Sequence, residues 1–280
     1  MMNYLIIDKI IKEALIEDTP NEDITSAAVI SKDSNCTVDL FSKGNGIIAG
    51  LEVFQRVFTI LGDVQIEFYK KDGDKVEPKT LIAKIKGNTR KILTGERTAL
   101  NLLQRMSGIA TFTEKFAEKL QGTNTKLLDT RKTTPNLRIL EKYSVTIGGG
   151  QNHRFNLSDG ILIKDNHINA AGGIKEAIQA VKASASFVRK IEVEAESISM
   201  VEEALEAGAD IIMLDNMDLG TMKKAVKTIN GKAAVEASGN INLNNIREVA
   251  LTGVDYISVG SLTHSAPILD LSMKNLKAMF

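Results

Sequence analysis

Along the chain the spacing of apolar positions changes period several times, and each change predicts an element. Residues 4–17 set Leu5, Ile6, Ile10, Ile11, Ala14 and Leu15 at helical spacing, which predicts an amphipathic helix. Residues 36–43 alternate instead, with Val38, Leu40 and Ser42 on one face, as a half-buried strand requires. A glycine-punctuated strand or hairpin is expected over 44–50 and a helix over 51–61, through Val53, Phe54, Val57 and Phe58. Short strands follow over 64–69 and 81–85, on either side of the turn signal Asp72-Gly73-Asp74. This first part predicts a small sandwich of helices and strands and contains no chemical motif. Residues 90–120 carry Ile92, Leu93, Ala99, Leu100, Leu102 and Leu103 in helical phase. Gly95 and Ser107-Gly108 interrupt that run, so two or three helices and a domain boundary near Ser107 are expected.

Beyond that point short β-like runs alternate with amphipathic helices. The runs cover 126–128, 160–164, 190–195, 210–215, 233–238 and 256–260, and helical patterns such as 198–207 and 219–229 lie between them. This alternation predicts a parallel sheet covered by helices, with ligands at the carboxyl ends of the strands. Six such units, several ending in polar residues, favour a barrel over an open sheet. The residues at those ends sort by chemistry. The early ends are basic, with Thr130, Arg131, Lys132 and Lys164, joined by His153 and Arg154 after the Gly148-Gly149-Gly150 turn. The middle ends are acidic, with Glu192, Glu194 and Asp215, and the late ends are small, with Ser238-Gly239-Asn240 and Ser258-Val259-Gly260. Planar guanidinium groups match carboxylates. Carboxylates hold ribose hydroxyls or Mg²⁺, and glycine-bearing βα loops offer backbone amides to a phosphate. The basic cluster needs either acidic partners or an anionic ligand, since alone it would repel itself. Glu192 and Glu194 share one side of their strand, and a salt bridge to the neighbouring cations is the competing reading of each.

Composition narrows the setting. The 280 residues are enough for one large α/β domain or two unequal ones. Lysine plus arginine balance aspartate plus glutamate at 35 each, so global charge supports neither nucleic-acid nor anionic-membrane binding. The single cysteine, Cys36, forbids an intrachain disulfide, and no signal peptide or membrane span is expected; a cytoplasmic protein fits these features.

The residues at the strand ends resemble one family, the quinolinate phosphoribosyltransferases, also called nicotinate-nucleotide pyrophosphorylases (carboxylating). The matching segments are Glu96-Arg97-Thr98-Ala99-Leu100-Asn101, Asp129-Thr130-Arg131-Lys132-Thr133, Gly148 to Arg154, Lys164-Asp165-Asn166-His167, Glu192-Val193-Glu194, Leu214-Asp215-Asn216, Glu236-Ala237-Ser238-Gly239 and Ser258-Val259-Gly260. Glu22-Asp23-Ile24-Thr25-Ser26 adds an N-terminal match. The resemblance implies an N-terminal α/β sandwich with linking helices over 1–107 and an incomplete parallel α/β barrel carrying the active site over 108–266. A segment over 267–280 would return to the first domain. It further implies joining quinolinate to 5-phosphoribosyl 1-diphosphate, with nicotinate mononucleotide, diphosphate and CO₂ as products of de novo NAD synthesis. Mg²⁺ would be the cofactor and a homodimer the working form.

Carried over by position, Arg131, His153, Arg154 and Lys164 would bind the quinolinate carboxylates, with Thr130 beside them. Arg97 would reach into the partner subunit's site. Lys132 would lie between the quinolinate and diphosphate regions, and Lys132, Glu194 and Asp215 would be catalytic. Glu194 and Asp215 would bind the ribose hydroxyls directly or through Mg²⁺, while Ser238, Gly239, Asn240, Ser258, Val259 and Gly260 would hold the 5-phosphate. Asn136 and Asn240 stand where the family usually has glycine, and asparagine tolerates positive φ well enough for both turns to survive. A related phosphoribosyltransferase for another pyridine or pyrimidine carboxylate, and a non-catalytic phosphometabolite-binding barrel, are the alternatives.

Overall fold

The computed structural model describes residues 3–279. In chain order the elements are α1 (Tyr4–Asp18), α2 (Ile24–Val29), β1 (Asn35–Ser42), β2 (Gly46–Ile47), α3 (Leu51–Leu61), β3 (Val64–Phe68), β4 (Lys75–Val76), β5 (Leu81–Asn88) and α4 (Thr89–Lys119). Next come β6 (Lys126–Leu128), α5 (Arg138–Ile147), β7 (Ile161–Ile163), α6 (Asp165–Ala171), α7 (Ile174–Ser184), β8 (Ile191–Ala195), α8 (Ile198–Ala207) and β9 (Ile211–Asp215). The chain ends with α9 (Leu219–Ile229), β10 (Ala234–Ser238), α10 (Ile246–Ala250), β11 (Tyr256–Ser258), α11 (Ser261–His264) and β12 (Leu271–Met279). They fall into two compact units, the first built from residues 3–114, 133–149 and 263–279, the second from 115–132 and 150–262.

In the first unit a four-stranded antiparallel sheet runs in the order β12-β1-β5-β3. The alternation of β1 buries Cys36, Val38, Leu40 and Ser42 on one face, as the sequence pattern requires. Its core includes Ile7 and Ile11 of α1, Phe54 and Phe58 of α3, and Ile92 and Leu103 of α4. Of the region expected as a strand or hairpin over 44–50, Gly46–Ile47 forms a short strand and pairs with Lys75–Val76. The Asp72 turn has a second task, because its carboxylate accepts from the amides of Gly50 and Leu51 and so caps α3. Tyr143 of α5 donates to the same carboxylate at 2.7 Å.

The expected break within 90–120 does not occur: α4 is one helix of 31 residues. Its glycines mark close approach instead. A Cβ on Gly95 would stand 2.8 Å from Leu61 and 2.9 Å from Phe58, and one on Gly108 would stand 2.1 Å from the carbonyl oxygen of Pro267. Ser107 is likewise committed to packing, its hydroxyl accepting from the Ala49 amide at 3.0 Å. Residue 107 lies inside this continuous helix, and the compact units divide about two turns further on, between Glu114 and Lys115. The segment 133–149 also belongs with the first unit, although it lies between two strands of the second.

The second unit is a six-stranded parallel sheet in the order β6-β11-β10-β9-β8-β7, with helices along it. Strands β6 and β7 stand at its two ends, and Gln151 forms an isolated parallel bridge to Leu128 beside β6. Ala207-Gly208-Ala209-Asp210 before β9 and Thr252-Gly253-Val254-Asp255 before β11 repeat one pattern, and the aspartates explain it. Asp210 accepts from the amide of Ile191, and Asp255 from that of Val235, at 2.7 and 2.8 Å, so each aspartate pins the strand next to its own. No helix among the described residues is long and apolar enough to cross a membrane.

Candidate active site

The carboxyl ends of the six strands surround one cavity of about 620 Å³. Its wall takes Thr130, Arg131 and Lys132 from beyond β6, His153 and Arg154 from the loop before β7, and Leu162 and Lys164 from β7 and its end. Glu194 comes from β8, Met213, Asp215 and Asn216 from β9 and beyond, Ser238, Gly239 and Asn240 from the end of β10, and Ser258 from β11. Residues up to 128 positions apart thus meet because parallel strands all present their carboxyl ends to one side.

Local structure sets each group. Asp129 is fully buried, and its carboxylate accepts from the His153 amide at 2.8 Å, which ties the His153-Arg154 loop to the end of β6. The Thr130 hydroxyl accepts from the Lys132 amide at 3.0 Å and shapes the turn that carries both basic residues. Arg154 donates through Nη1 to the Gly160 carbonyl at 2.9 Å. Burial, and then the charge of Arg131, pull its basicity below the ordinary value. Two guanidinium groups close enough to disfavour each other define a place where an anion is stabilised. At the end of β7 the amide of Lys164 donates to Nδ1 of His167 at 3.0 Å, so this histidine, in the first turn of α6, caps the helix rather than lining the cavity.

Glu192 and Glu194 both point inward from β8 but act at different depths. Glu194 reaches the cavity and pairs with Lys164, Nζ to Oε2 at 2.6 Å. Glu192 lies beneath it, nearly buried, against His153. Burial, and then the neighbouring Glu194, raise the Asp215 carboxyl above the usual range. Asn216, which the sequence reading did not single out, donates to Asp215 at 2.7 Å and accepts from the Asn240 side chain at 2.9 Å. It stitches the acidic end of β9 to the small-residue loop after β10. Asn136 and Asn240 do adopt positive φ, +65° and +53°, so the turns survive without glycine there.

Two expected positions differ. Val259 is buried and its amide donates to the Leu128 carbonyl at 3.0 Å, so that N–H is spent inside the sheet and is not offered to a phosphate. Gly260 does not line the cavity either; of this turn only Ser258 does, its hydroxyl 3.1 Å from that of Ser238. Arg97 is an exposed side chain on α4 and, in keeping with an expected role toward a second copy, is not among the residues lining this chain's own cavity. Leu162 and Met213 line the cavity without having been anticipated, because nothing but strand phase marks an apolar residue as wall rather than core. Chemically, the cavity offers cations on one side, two carboxylates in the middle and a glycine-bearing loop opposite.

Comparison with known proteins gives the same reading along nearly the whole chain. The family model described as "Quinolinate phosphoribosyl transferase, C-terminal domain" matches residues 109–274, and that described as "Quinolinate phosphoribosyl transferase, N-terminal domain" matches residues 23–107. A Bacillus subtilis protein named "Probable nicotinate-nucleotide pyrophosphorylase [carboxylating]" is 44% identical, covering 97% of this chain and 94% of its own. Among solved structures, NadC from Streptococcus pyogenes superposes with a TM-score of 0.96 at 47% identity, covering 100% of this chain and 99% of its own. The nicotinate-nucleotide pyrophosphorylase from Francisella tularensis gives 0.93 at 40% identity, covering 99% and 98%.

Proposed function

The chain belongs to the quinolinate phosphoribosyltransferase family, and on that premise we propose how its cavity performs the reaction. The protein is a phosphoribosyltransferase of NAD biosynthesis that joins quinolinate to 5-phosphoribosyl 1-diphosphate, releasing nicotinate mononucleotide, diphosphate and CO₂. One observation carries the assignment of roles: Arg131, Arg154 and Lys164 line one cavity with Glu194 and Asp215, and Gly239 lines it too. A diacid is matched by the first set, a developing sugar cation by the second, and a phosphate by the loop of the third.

In this reading Arg131, Arg154 and Lys164 hold the two carboxylates and present the pyridine nitrogen to the anomeric carbon. Lys132, exposed at the rim, balances the departing diphosphate. Glu194 and Asp215 stabilise the positive charge that builds on the ribose as the bond to diphosphate breaks. Once alkylated, the ring nitrogen is cationic and stabilises the electron pair left on its neighbouring ring carbon when the carboxylate there departs as CO₂; a proton taken up at that carbon completes the product. The cavity's contribution is mainly position and preset charge.

Magnesium belongs to this proposal. Glu194 is already matched by the Lys164 ammonium, whereas the raised Asp215 carboxyl sits in a site that disfavours a further negative charge until a cation arrives. Oxygen donors of this kind suit Mg²⁺, which Asp215 and Glu194 would hold through water. When bound it supplies positive charge to the diphosphate oxygens. A homodimer in the cytoplasm completes the reading. Exposed Arg97 is then free to serve a second copy, and exposed Leu5, Ile24 and Val29 on α1 and α2 offer apolar surface for association.

Two measurements test these roles. Diphosphate release should be fast with quinolinate and at least about 100-fold slower with nicotinate, which lacks one of the two carboxylates the cations are set to bind. Equal rates would assign the basic set to something else. Gly239 has φ +89°, and an added Cβ would stand 2.2 Å from the Asn216 side-chain oxygen. Left-handed strain of about 1–2 kcal/mol predicts that Gly239→Ala raises KM for 5-phosphoribosyl 1-diphosphate about tenfold and leaves KM for quinolinate within about twofold. An unchanged KM for the sugar substrate would remove the loop from phosphate binding.

A further inference from the structure

Beneath the cavity, His153, Glu192 and Glu236 form a buried cluster whose ligand-type atoms lie within 4.8 Å of one another. Nε2 of His153 stands 3.2 Å from Glu192 and 3.5 Å from Glu236. Glu236, on β10, is 2% exposed and does not line the substrate cavity. One of its oxygens is buried with no hydrogen-bond partner among the described residues. A costly group of this kind calls for an explanation that Arg131, Arg154 and Lys164 alone do not give.

It is the other oxygen, Oε2, that faces His153, and the second ring nitrogen shows what that contact does. Nδ1 of His153 accepts the backbone N–H of Arg154 at 2.7 Å. A nitrogen that accepts carries no proton, so the ring proton is on Nε2, aimed at the two carboxyl groups. Both nitrogens are therefore spent inside the protein, and His153 shows the cavity a ring rather than a free donor. With the carboxyl groups gone, the opposite tautomer would set Nδ1–H against the Arg154 N–H, two donors face to face. The peptide that carries the Arg154 guanidinium would then shift.

We propose that Glu236 is a positioning residue for diacid binding: with Glu192 it holds His153 as the Nε2–H tautomer, and that tautomer fixes the Arg154 backbone and the aim of its guanidinium. Burial, and then the Glu192 charge, push the Glu236 carboxyl above the usual carboxylate range. That keeps the pair from placing two full negative charges under a pocket that must stay cationic. A divalent metal on the same three groups is disfavoured, since a metal on Nε2 needs a proton on Nδ1, where the Arg154 amide already donates. This proposal rests on the diacid-binding role of Arg154 given above, and the first readout below needs no turnover.

Nitrogen-15 NMR of histidine-labelled wild-type protein should report His153 as the neutral Nε2–H form. An Nδ1–H form, an imidazolium, or zinc bound stoichiometrically by the wild type and lost in Glu236→Leu would overturn the proposal. In kinetics, Glu236→Leu should raise KM for quinolinate about tenfold, the scale of one misaligned charged hydrogen bond, with kcat and KM for the sugar substrate changed by less than about twofold. Glu236→Gln keeps an acceptor for Nε2–H and should bring KM for quinolinate back to within about threefold. A folded Glu236→Leu protein with wild-type KM, or an equal loss in both substrates and in kcat, would show that Glu236 only fills the core. If the leucine variant does not fold, the wild-type tautomer and the glutamine variant still decide.

Discussion

Glu194→Ala should lower kcat by about 10²- to 10³-fold, the cost of removing one preset charge that faces the transition state, and should shift the melting temperature very little. The reason for the split lies in its surroundings. Glu194 projects from the end of β8 into the cavity and pairs there with Lys164, whose side chain is 44% exposed. Deleting the carboxylate leaves that ammonium free to be solvated, so no charge is stranded in the core and stability loses little. The chemistry loses much more, because a carboxylate held beside the ribose stabilises a charge that exists only as diphosphate departs. KM for quinolinate should fall or stay level, since Lys164 is released to the diacid. Steady-state kinetics with both substrates, beside thermal melts, separates these effects. Turnover within tenfold of wild type would show that Glu194 serves only to neutralise Lys164.

Glu141→Ala should have the opposite signature and cost about 3–5 kcal/mol of stability, as when one partner of a buried ion pair is removed. Glu141 is fully buried at the start of α5. It accepts from Nε and Nη2 of Arg105 at 3.1 and 2.8 Å, and from the amide and hydroxyl of Thr134 at 3.0 and 2.7 Å. Arg105 also donates to the carbonyls of Ala266 and Thr263. One carboxylate therefore ties α4, the segment before α5 and the stretch leading to β12 together within the first unit. Alanine strips the guanidinium of its anionic partner, leaves the Thr134 donors without their acceptor and opens a cavity as well. Urea denaturation should show a lower midpoint, and Glu141→Gln, which keeps shape and acceptor but not charge, should fall between. A midpoint unchanged in Glu141→Ala would mean that the network contributes no net stability.

The candidate site was legible to different degrees for physical reasons. Arg131, Lys164, Glu194 and Asp215 could be found because each follows a short apolar run, and parallel strands bring such positions together whatever lies between them. Asn216 left a faint trace, an asparagine after an aspartate at a strand end, yet its work of joining two loops exists only once β9 and β10 are neighbours. Val259 was misjudged because a glycine-flanked residue looks like a free loop amide, and only the pairing of β11 with β6 reveals that its N–H is taken. In α4 a propensity rule lost to packing. Glycine in a helix weakens it by about 1 kcal/mol, but Gly95 and Gly108 allow contacts that a methyl group would block.

By itself the sequence determined the periods of its apolar positions, hence a small sandwich of helices and strands followed by a parallel α/β unit, and the chemical kind of each strand end. These are local properties, set by side-chain spacing and by residues within a few positions of one another. Tertiary structure alone decided that α4 runs unbroken, that residues 133–149 join the first unit, and that Glu192 and Glu236 lie under His153 rather than in the cavity with Glu194. Those outcomes depend on which strands are adjacent and how closely their backbones approach, and neither distance is encoded in any single stretch of chain.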